Sequence, residues 1–370
     1  MHRLIAITLT FFVCILDASA SGTTLTGFID QSLTYNDNLY LDESNTKANT
    51  YQITPKLKLT HKYPKGERSL YISNRFSEEH TEQTASRSLI KAGAAMAHTH
   101  SLRTQVQTNA DYTEGLIKEQ ADEESGDFSN NQKFREYKLS HSMSYVRSRT
   151  QTLNLTLSAL NKRYDSTELS NYKTATAKLA SNWSPSKTIG ISINASLVST
   201  HYAAEANIRK NSLDISSTFQ HSAQQNSRAA VGFSRSKSNA KVHTWYGNFT
   251  HSYQGSEHSS LLSASRSTSA SGLGIEQITD KISGKLSKNI SKTTQLSLKG
   301  SAQRNQAQPE FNYLGSSSID ISCSFNHKIN AKWRYSITYQ HHRFDGRVED
   351  WQSANKLVFT VKYNQDLYKF

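Results

Sequence analysis

Beyond its first twenty residues the chain lacks any apolar run approaching the roughly 18 residues of a membrane helix, which excludes a helical membrane protein. It holds two cysteines, Cys14 and Cys323, and only the second lies outside the N-terminal apolar segment. One thiol excludes an internal disulfide framework and a cysteine-based zinc site, so Cys323 reads as a small buried or lipid-facing residue. Apolar residues are few, at 35%, against about 45–50% in ordinary soluble domains. That is thin for one large soluble core. Acids are also short: 30 Asp and Glu stand against 43 Lys and Arg, for a net charge of +13. No finger, stacking motif or recognition helix accompanies the positive charge, so nucleic acid is not the expected partner.

Aromatic residues are plentiful, with 18 Tyr, 14 Phe and 4 Trp against only four Pro. Their regular placement argues against disorder. The N-terminus reads as a secretory signal: Arg3 is the charged start, Leu4 to Leu16 is apolar, and Ala18-Ser19-Ala20 is a small-residue cleavage site. The expected organisation is a signal peptide over 1–20 and one domain over 21–370.

Period-two alternation recurs along the whole domain, and helical spacing never dominates a long window. Leu153, Leu155 and Leu157 oppose Asn154, Thr156 and Ser158. Ile189, Ile191, Ile193, Ala195 and Leu197 oppose Gly190, Ser192, Asn194 and Ser196. In "WRYSITYQH", Trp333, Tyr335, Ile337 and Tyr339 oppose Arg334, Ser336, Thr338 and Gln340. Segments of this kind predict about eighteen strands, from near 24–35 to near 355–363. Sixteen remains within reach, and the even count and the segment length suit a membrane barrel.

The connections alternate in length. Short ones such as 64–66, 98–100, 184–186 and 328–330 interleave with longer ones such as 113–133, 199–211, 267–277, 303–316 and 343–354. Short periplasmic turns and longer extracellular loops are the pattern of outer-membrane barrels. With that orientation Tyr63, Tyr145, Trp183, Tyr253, Trp333 and Tyr363 fall at the periplasmic strand ends, and Tyr51, Tyr112, Tyr137 and Tyr339 at the opposite ends. Two such belts are what amphipathic rings prefer at membrane interfaces. The chain closes on Tyr368 and Phe370, similar to the terminal signal that barrel assembly machinery reads, although Asn364 and Asp366 stand where that signal is apolar. The expected fold is therefore all-β: a single transmembrane antiparallel up-and-down barrel in the cell outer membrane, in contact with its lipid.

"SLTYNDNLYL" (Ser32–Leu41), "ITPKLKL" (Ile53–Leu59) and "SRSTSASGLGIEQITDKISGKL" (Ser265–Leu286) together resemble outer-membrane barrels encoded near exopolysaccharide and exosortase loci. The resemblance implies a porin-like barrel connected with surface-polysaccharide export. It carries over no catalytic residues.

On the inferred inner phase lie Lys56, Lys58, Arg75, Lys91, Arg103, Lys138, Lys178, Lys285, Lys299, Arg334, Lys356 and Lys362, against Asp30, Asp111, Glu136, Asp214 and Asp320. The first reading is thus a porin-like channel for hydrophilic, anionic solutes or exported exopolysaccharide, lined by Lys56, Lys58, Arg75, Arg103, Lys138, Lys178, Lys285, Lys299 and Arg334. A non-conducting barrel with a structural or polysaccharide-binding role is the second, and a barrel lipid hydrolase the third. No nucleophile elbow or fixed Ser–His spacing supports catalysis. His98-x-His100 and His341-His342 lack carboxylates to complete a metal site. The acidic stretch of Glu114, Glu119, Asp122, Glu123, Glu124 and Asp127 lacks the spacing of a calcium loop. No enzyme activity, cofactor or metal is expected.

Overall fold

The computed structural model describes residues 22–38, 46–81, 84–116, 133–165, 169–203, 207–237, 241–270, 276–307, 316–345 and 351–369. The expected signal segment, the acidic residues from Glu119 to Asp127 and Phe370 lie outside them. The described residues form eighteen strands. The first nine are β1 (Thr23–Asn36), β2 (Ala48–Tyr63), β3 (Gly66–His80), β4 (Thr84–Ser101), β5 (Thr104–Leu116), β6 (Lys133–Val146), β7 (Gln151–Tyr164), β8 (Tyr172–Trp183) and β9 (Ile189–Tyr202). The rest are β10 (Ile208–Gln220), β11 (Gln225–Lys237), β12 (Lys241–Gln254), β13 (His258–Ala270), β14 (Glu276–Asn289), β15 (Thr294–Ala307), β16 (Ser316–Lys328), β17 (Trp333–Asp345) and β18 (Gln352–Lys369).

Each strand pairs antiparallel with its neighbour in sequence, and β18 returns to β1 from Lys369 opposite Thr24 to Lys356 opposite Asn36. The sheet is closed. Closure satisfies backbone groups that lipid could not, and it removes the exposed edges at which open sheets aggregate. An eighteen-strand barrel is also wide enough to enclose an aqueous channel.

Directly opposed residues of a ladder share a face, so the registers sort every strand into lumen and exterior. Outside stand Leu33, Leu57, Ile72, Leu139, Leu179, Ile193, Leu213, Val231, Leu286, Ile321 and Phe359, all exposed. Their counterparts on the inner phase are mostly Ser, Thr, Asn, Gln and Lys. A soluble sheet would bury the apolar face, whereas this one bares it around the whole circumference, which makes it a lipid-facing girdle. Cys323 is exposed within that girdle. The aromatic belts close it at both ends. Trp333 and Tyr363 lie opposite each other with ring centroids 4.6 Å apart at the turn end. Tyr112 and Tyr137 do the same at 5.0 Å toward the loop end.

The structure corrects the expected boundaries in one direction. Strands run longer than the alternation indicates, so the connection expected over 199–211 shrinks to 203–207 and that over 267–277 to 271–275. Strand ends that project past the lipid carry polar residues on both faces, and periodicity cannot register them. At the opposite end His98 and Thr99 are paired within β4, and the turn is at 102–103, after a register shift between Thr99 and Ser101. Arg103 sits in that turn, its amide donating to Ser101 Oγ at 3.2 Å. It is a rim residue and not part of the lumen wall.

Two glycines serve a specific packing device. On three successive strands Asp214, Gly232 and Tyr246 lie side by side, and Tyr246 lays its ring across the bare glycine to donate its hydroxyl to Asp214 Oδ2 at 3.0 Å. A Cβ on Gly232 would stand 2.5 Å from the Tyr246 ring and 2.6 Å from Asp214 Cβ. Tyr71, Gly93 and Asp111 repeat the arrangement, with the hydroxyl bond at 2.8 Å. A hydrogen bond to a charged group contributes about 1.5–3 kcal/mol. Tyr246→Phe should therefore destabilise the barrel by about that amount in urea unfolding, yet by almost nothing on a Gly232→Ala background, where the ring is already displaced. Additive losses would show that the ring does not depend on the glycine.

Candidate functional site

The lumen is where sequence-distant charges meet. Lys56, Lys58, Arg75, Lys138, Lys178, Lys285, Lys299 and Arg334 all lie on the inner phase of their strands, as expected. None of these eight has a carboxylate at ion-pair distance among the described residues. Like charges are set directly opposite one another: Lys285 faces Lys299, and Arg334 faces Lys362. Opposed cations are destabilising in a sheet. Lys362 is offset in part by Asp30 at 3.7 Å, whereas Lys285 and Lys299 have no carboxylate at that distance among the described residues.

The inward acids are differently placed. Asp111 accepts from Tyr71, and Asp214 accepts from Tyr246 and from Asn194 Nδ2 at 2.6 Å. Asp30 lies 3.7 Å from Lys362 Nζ, Glu136 lies 3.7 Å from Lys162 Nζ, and Glu79 pairs with Arg87. Asp320 bonds His342 Nδ1 at 2.5 Å and Gln340 at 3.3 Å. These carboxylates are held at the wall by neighbours, which weakens their reach into the lumen, while the eight lysines and arginines keep theirs.

Toward the loop end the lumen narrows on one side. Leu89, Phe134, Tyr164, Tyr172, Tyr202 and Ile208 form a buried cluster on the inner wall of β4 and β6–β10. Lys162 lies 5.5 Å from both the Phe134 and Tyr164 ring centroids. Three strands along from β10, β13 leaves the barrel surface. Its ladder with β12 ends at Gly247 opposite Arg266, yet it continues to pair with β14 as far as Ala270. Had β13 run straight, Thr268 would share the outward phase of Arg266. Instead its carbonyl accepts from Lys210 Nζ at 3.2 Å, and its hydroxyl also bonds that ammonium. Lys210 is on the inner face of β10, so the loop end of β13 at Thr268 leans into the lumen. Between it and the wall is a cavity of about 270 Å3, lined by Lys138, Ser158, Leu160, Tyr172, Thr174, Thr176, Val198, Thr200, Ile208, Lys210 and Thr268. Two ammonium groups and several hydroxyls over an apolar floor suit an organic anion.

Other candidates disperse. His341 points outward to Asn355 Oδ1 at 2.9 Å while His342 points inward to Asp320, so the two imidazoles cannot share an ion. His98 and His100 both face outward, and Tyr63 Oη lies 3.3 Å from His98 Nδ1. Glu114 is on the outer face, bonded to Tyr112 and 3.4 Å from Arg135. Ser227 and His251, 2.8 Å apart, invite a catalytic reading. The same cross-strand pairing recurs in Thr23–His61, Thr108–His141 and Thr294–His327 at 2.8–3.0 Å. Fourfold repetition around the exterior is interfacial architecture and not a unique nucleophile.

No known sequence family and no curated protein matches the chain. Solved structures do. The chain is similar to Acinetobacter baumannii OccAB4 at a TM-score of 0.55 and 6% identity, covering 94% of this chain and 99% of that one. It is similar to the outer membrane protein opdK of Pseudomonas aeruginosa at 0.54 and 8%, covering 94% and 100%. It is similar to Pseudomonas aeruginosa OprD at 0.52 and 9%, covering 95% and 98%. What is shared is the fold. The chain has the barrel fold of these outer-membrane proteins.

Sequence reasoning missed Arg87, Lys162 and Lys210 as lumen residues because each sits where alternation fades, near the loop end of its strand. Thr268 had no signal at all, since its position depends on a bend.

Proposed function

We propose that the protein is an outer-membrane channel that passes hydrophilic anions and holds them transiently at the Lys138–Lys210 cavity. The observation that carries this reading is the lumen's unpaired cation surplus, Lys285 opposite Lys299 above all. Rings of cations lower the barrier for anions, and low-dielectric walls extend the reach of each charge. The inward hairpin supports selection by size, because it leaves a passage lined by named groups and not a bare pore. A surface polysaccharide, the solute class that the sequence resemblance implies, would meet the same charge logic where it carries acidic groups.

The test is reconstitution into a planar bilayer under a KCl gradient. At 0.1 M salt the Debye length is about 10 Å, and the reversal potential should report chloride preference. Small carboxylates should further reduce the current more than neutral sugars of equal size, and Lys210→Ala should weaken that block. A silent barrel, or one preferring potassium at low salt, overturns the proposal.

A further inference from the structure

Outside the barrel, at the loop end, the charge is unevenly distributed. Arg163 on β7, Lys173 on β8, Arg209 on β10 and Arg235 and Lys237 on β11 are all exposed and on the outward phase. Arg209 stands directly opposite Lys237, and Arg163 directly opposite Arg135. Among the cations of this sector, Arg135 alone has ion-pair partners among the described residues, Glu114 at 3.4 Å and Asp165 at 3.8 Å. Elsewhere at the loop end the outward positions mix cations with acids and neutral residues: Arg304 stands opposite Asp280 and Ser317, Arg343 lies over the Trp351 ring, and Ser353, Asn49 and Glu78 follow, so opposed cations concentrate in the basic sector on β6–β11.

Its height matters as much as its charge. Phe233 is the next outward residue below Arg235, Ala175 the next below Lys173, and Leu213 lies two outward positions below Arg209. At about 3.3 Å per residue along a tilted strand, Arg235 and Lys173 sit about 7 Å from the apolar girdle and Arg209 and Lys237 about 13 Å from it, one to two side-chain lengths. Long Lys and Arg side chains at that level reach a lipid headgroup layer.

We propose that this sector binds the phosphate groups of lipopolysaccharide, with the acyl chains lying against Leu197, Leu213 and Phe233. A free phosphate would have no use for the adjoining apolar wall, and a divalent cation would find no carboxylate cluster there. A phosphorylated saccharide headgroup carrying acyl chains matches both halves of the surface. Its anionic oxygens accept paired bonds from guanidinium groups and relieve the opposition of Arg209 and Lys237. The site rests on the loop end facing the outer leaflet, but its binding chemistry does not require the channel to conduct.

The experiment uses the full mature chain in detergent, folded as judged by heat-shifted migration in SDS. Binding of diphosphoryl lipid A, its dephosphorylated form and phosphatidylglycerol is compared by native mass spectrometry. Diphosphoryl lipid A should bind at least about tenfold more tightly than the dephosphorylated form, and Arg163→Gln with Arg209→Gln, Arg235→Gln and Lys237→Gln should remove that advantage. Arg343→Gln on the far side should leave it intact. Should the fourfold variant not fold, Arg209→Gln and Lys237→Gln singly should each lower affinity about threefold or more. Equal binding of the two lipid A forms, equal binding of lipid A and phosphatidylglycerol, or no loss in the folded variants overturns the site.

Discussion

Replacing Lys138, Lys178, Lys299 and Arg334 by Glu should turn an anion-preferring pore into a cation-preferring one. All four lie on the inner phase, and none has an ion-pair partner among the described residues, so the change reverses charge without stranding a buried acid. A unit charge about 10 Å from a permeating ion contributes about 0.4 kcal/mol in water, and about a third of that survives screening at 0.1 M salt. A swing of about eight charges then amounts to roughly 1 kcal/mol against each anion and for each cation, about a fivefold to tenfold change for either ion and about 25-fold to 100-fold in their permeability ratio, enough to reverse the preference. In 1 M salt the Debye length falls to about 3 Å and the difference should vanish. Arg103→Glu is the internal control, because that residue sits in the 102–103 turn and should leave the reversal potential unmoved. If the fourfold variant keeps the wild-type potential at low salt, the wall does not govern permeation. If Arg103→Glu matches it, rim charge does.

That contrast between Arg103 and Lys138 shows where the sequence is legible. Alternation is a local signal, so it assigns a face wherever lipid on one side and water on the other force neighbouring residues apart. Lys138 is flanked by Tyr137 and Leu139, and Lys178 by Ala177 and Leu179, which leaves their direction in no doubt. Strand number, closure and the aromatic belts follow from the same constraint. Arg103 adjoins a turn, where Leu102 projects fully into solvent and a one-residue difference in the turn position cancels the phase argument. The Lys138–Lys210 cavity was half visible. Its wall follows from alternation, but its far side is Thr268, brought there by a hairpin that leaves the cylinder after Arg266. Such a bend is accompanied by a contact between β10 and β13, whose residues Lys210 and Thr268 are 58 positions apart, and no local pattern encodes it. The basic sector on β7–β11 was invisible for a related reason, since Arg163 and Arg209 are 46 positions apart and become one surface only when the strands are laid side by side.

Leu179→Arg should destabilise the barrel by about 2–4 kcal/mol, whereas Ala180→Arg, one residue along the same strand, should cost little. Leu179 is 55% exposed on the exterior of β8, between Trp183 of the turn-end belt and Lys173 of the basic sector, and so lies near the middle of the apolar girdle. An arginine there must either hold its charge in hydrocarbon or stretch toward an interface, and from mid-height its side chain falls short of both. Ala180 lies opposite Asn154 and Asn194 on the inner phase, so its arginine would enter a hydrated lumen already rich in cations. The measurement is urea unfolding of the barrel in vesicles, where heat-shifted migration reports the folded fraction. In detergent micelles, which deform around a charge more readily than a bilayer, the Leu179→Arg penalty should shrink while Ala180→Arg stays unchanged. Ordinary packing loss at an exposed leucine would cost no more than about 1–2 kcal/mol and would not depend on the surrounding amphiphile. A penalty equal at the two positions would mean that the faces are not divided between lipid and water. A larger penalty at Ala180 would invert the barrel's assignment of inside and outside, and with it the reading of every lysine on the wall.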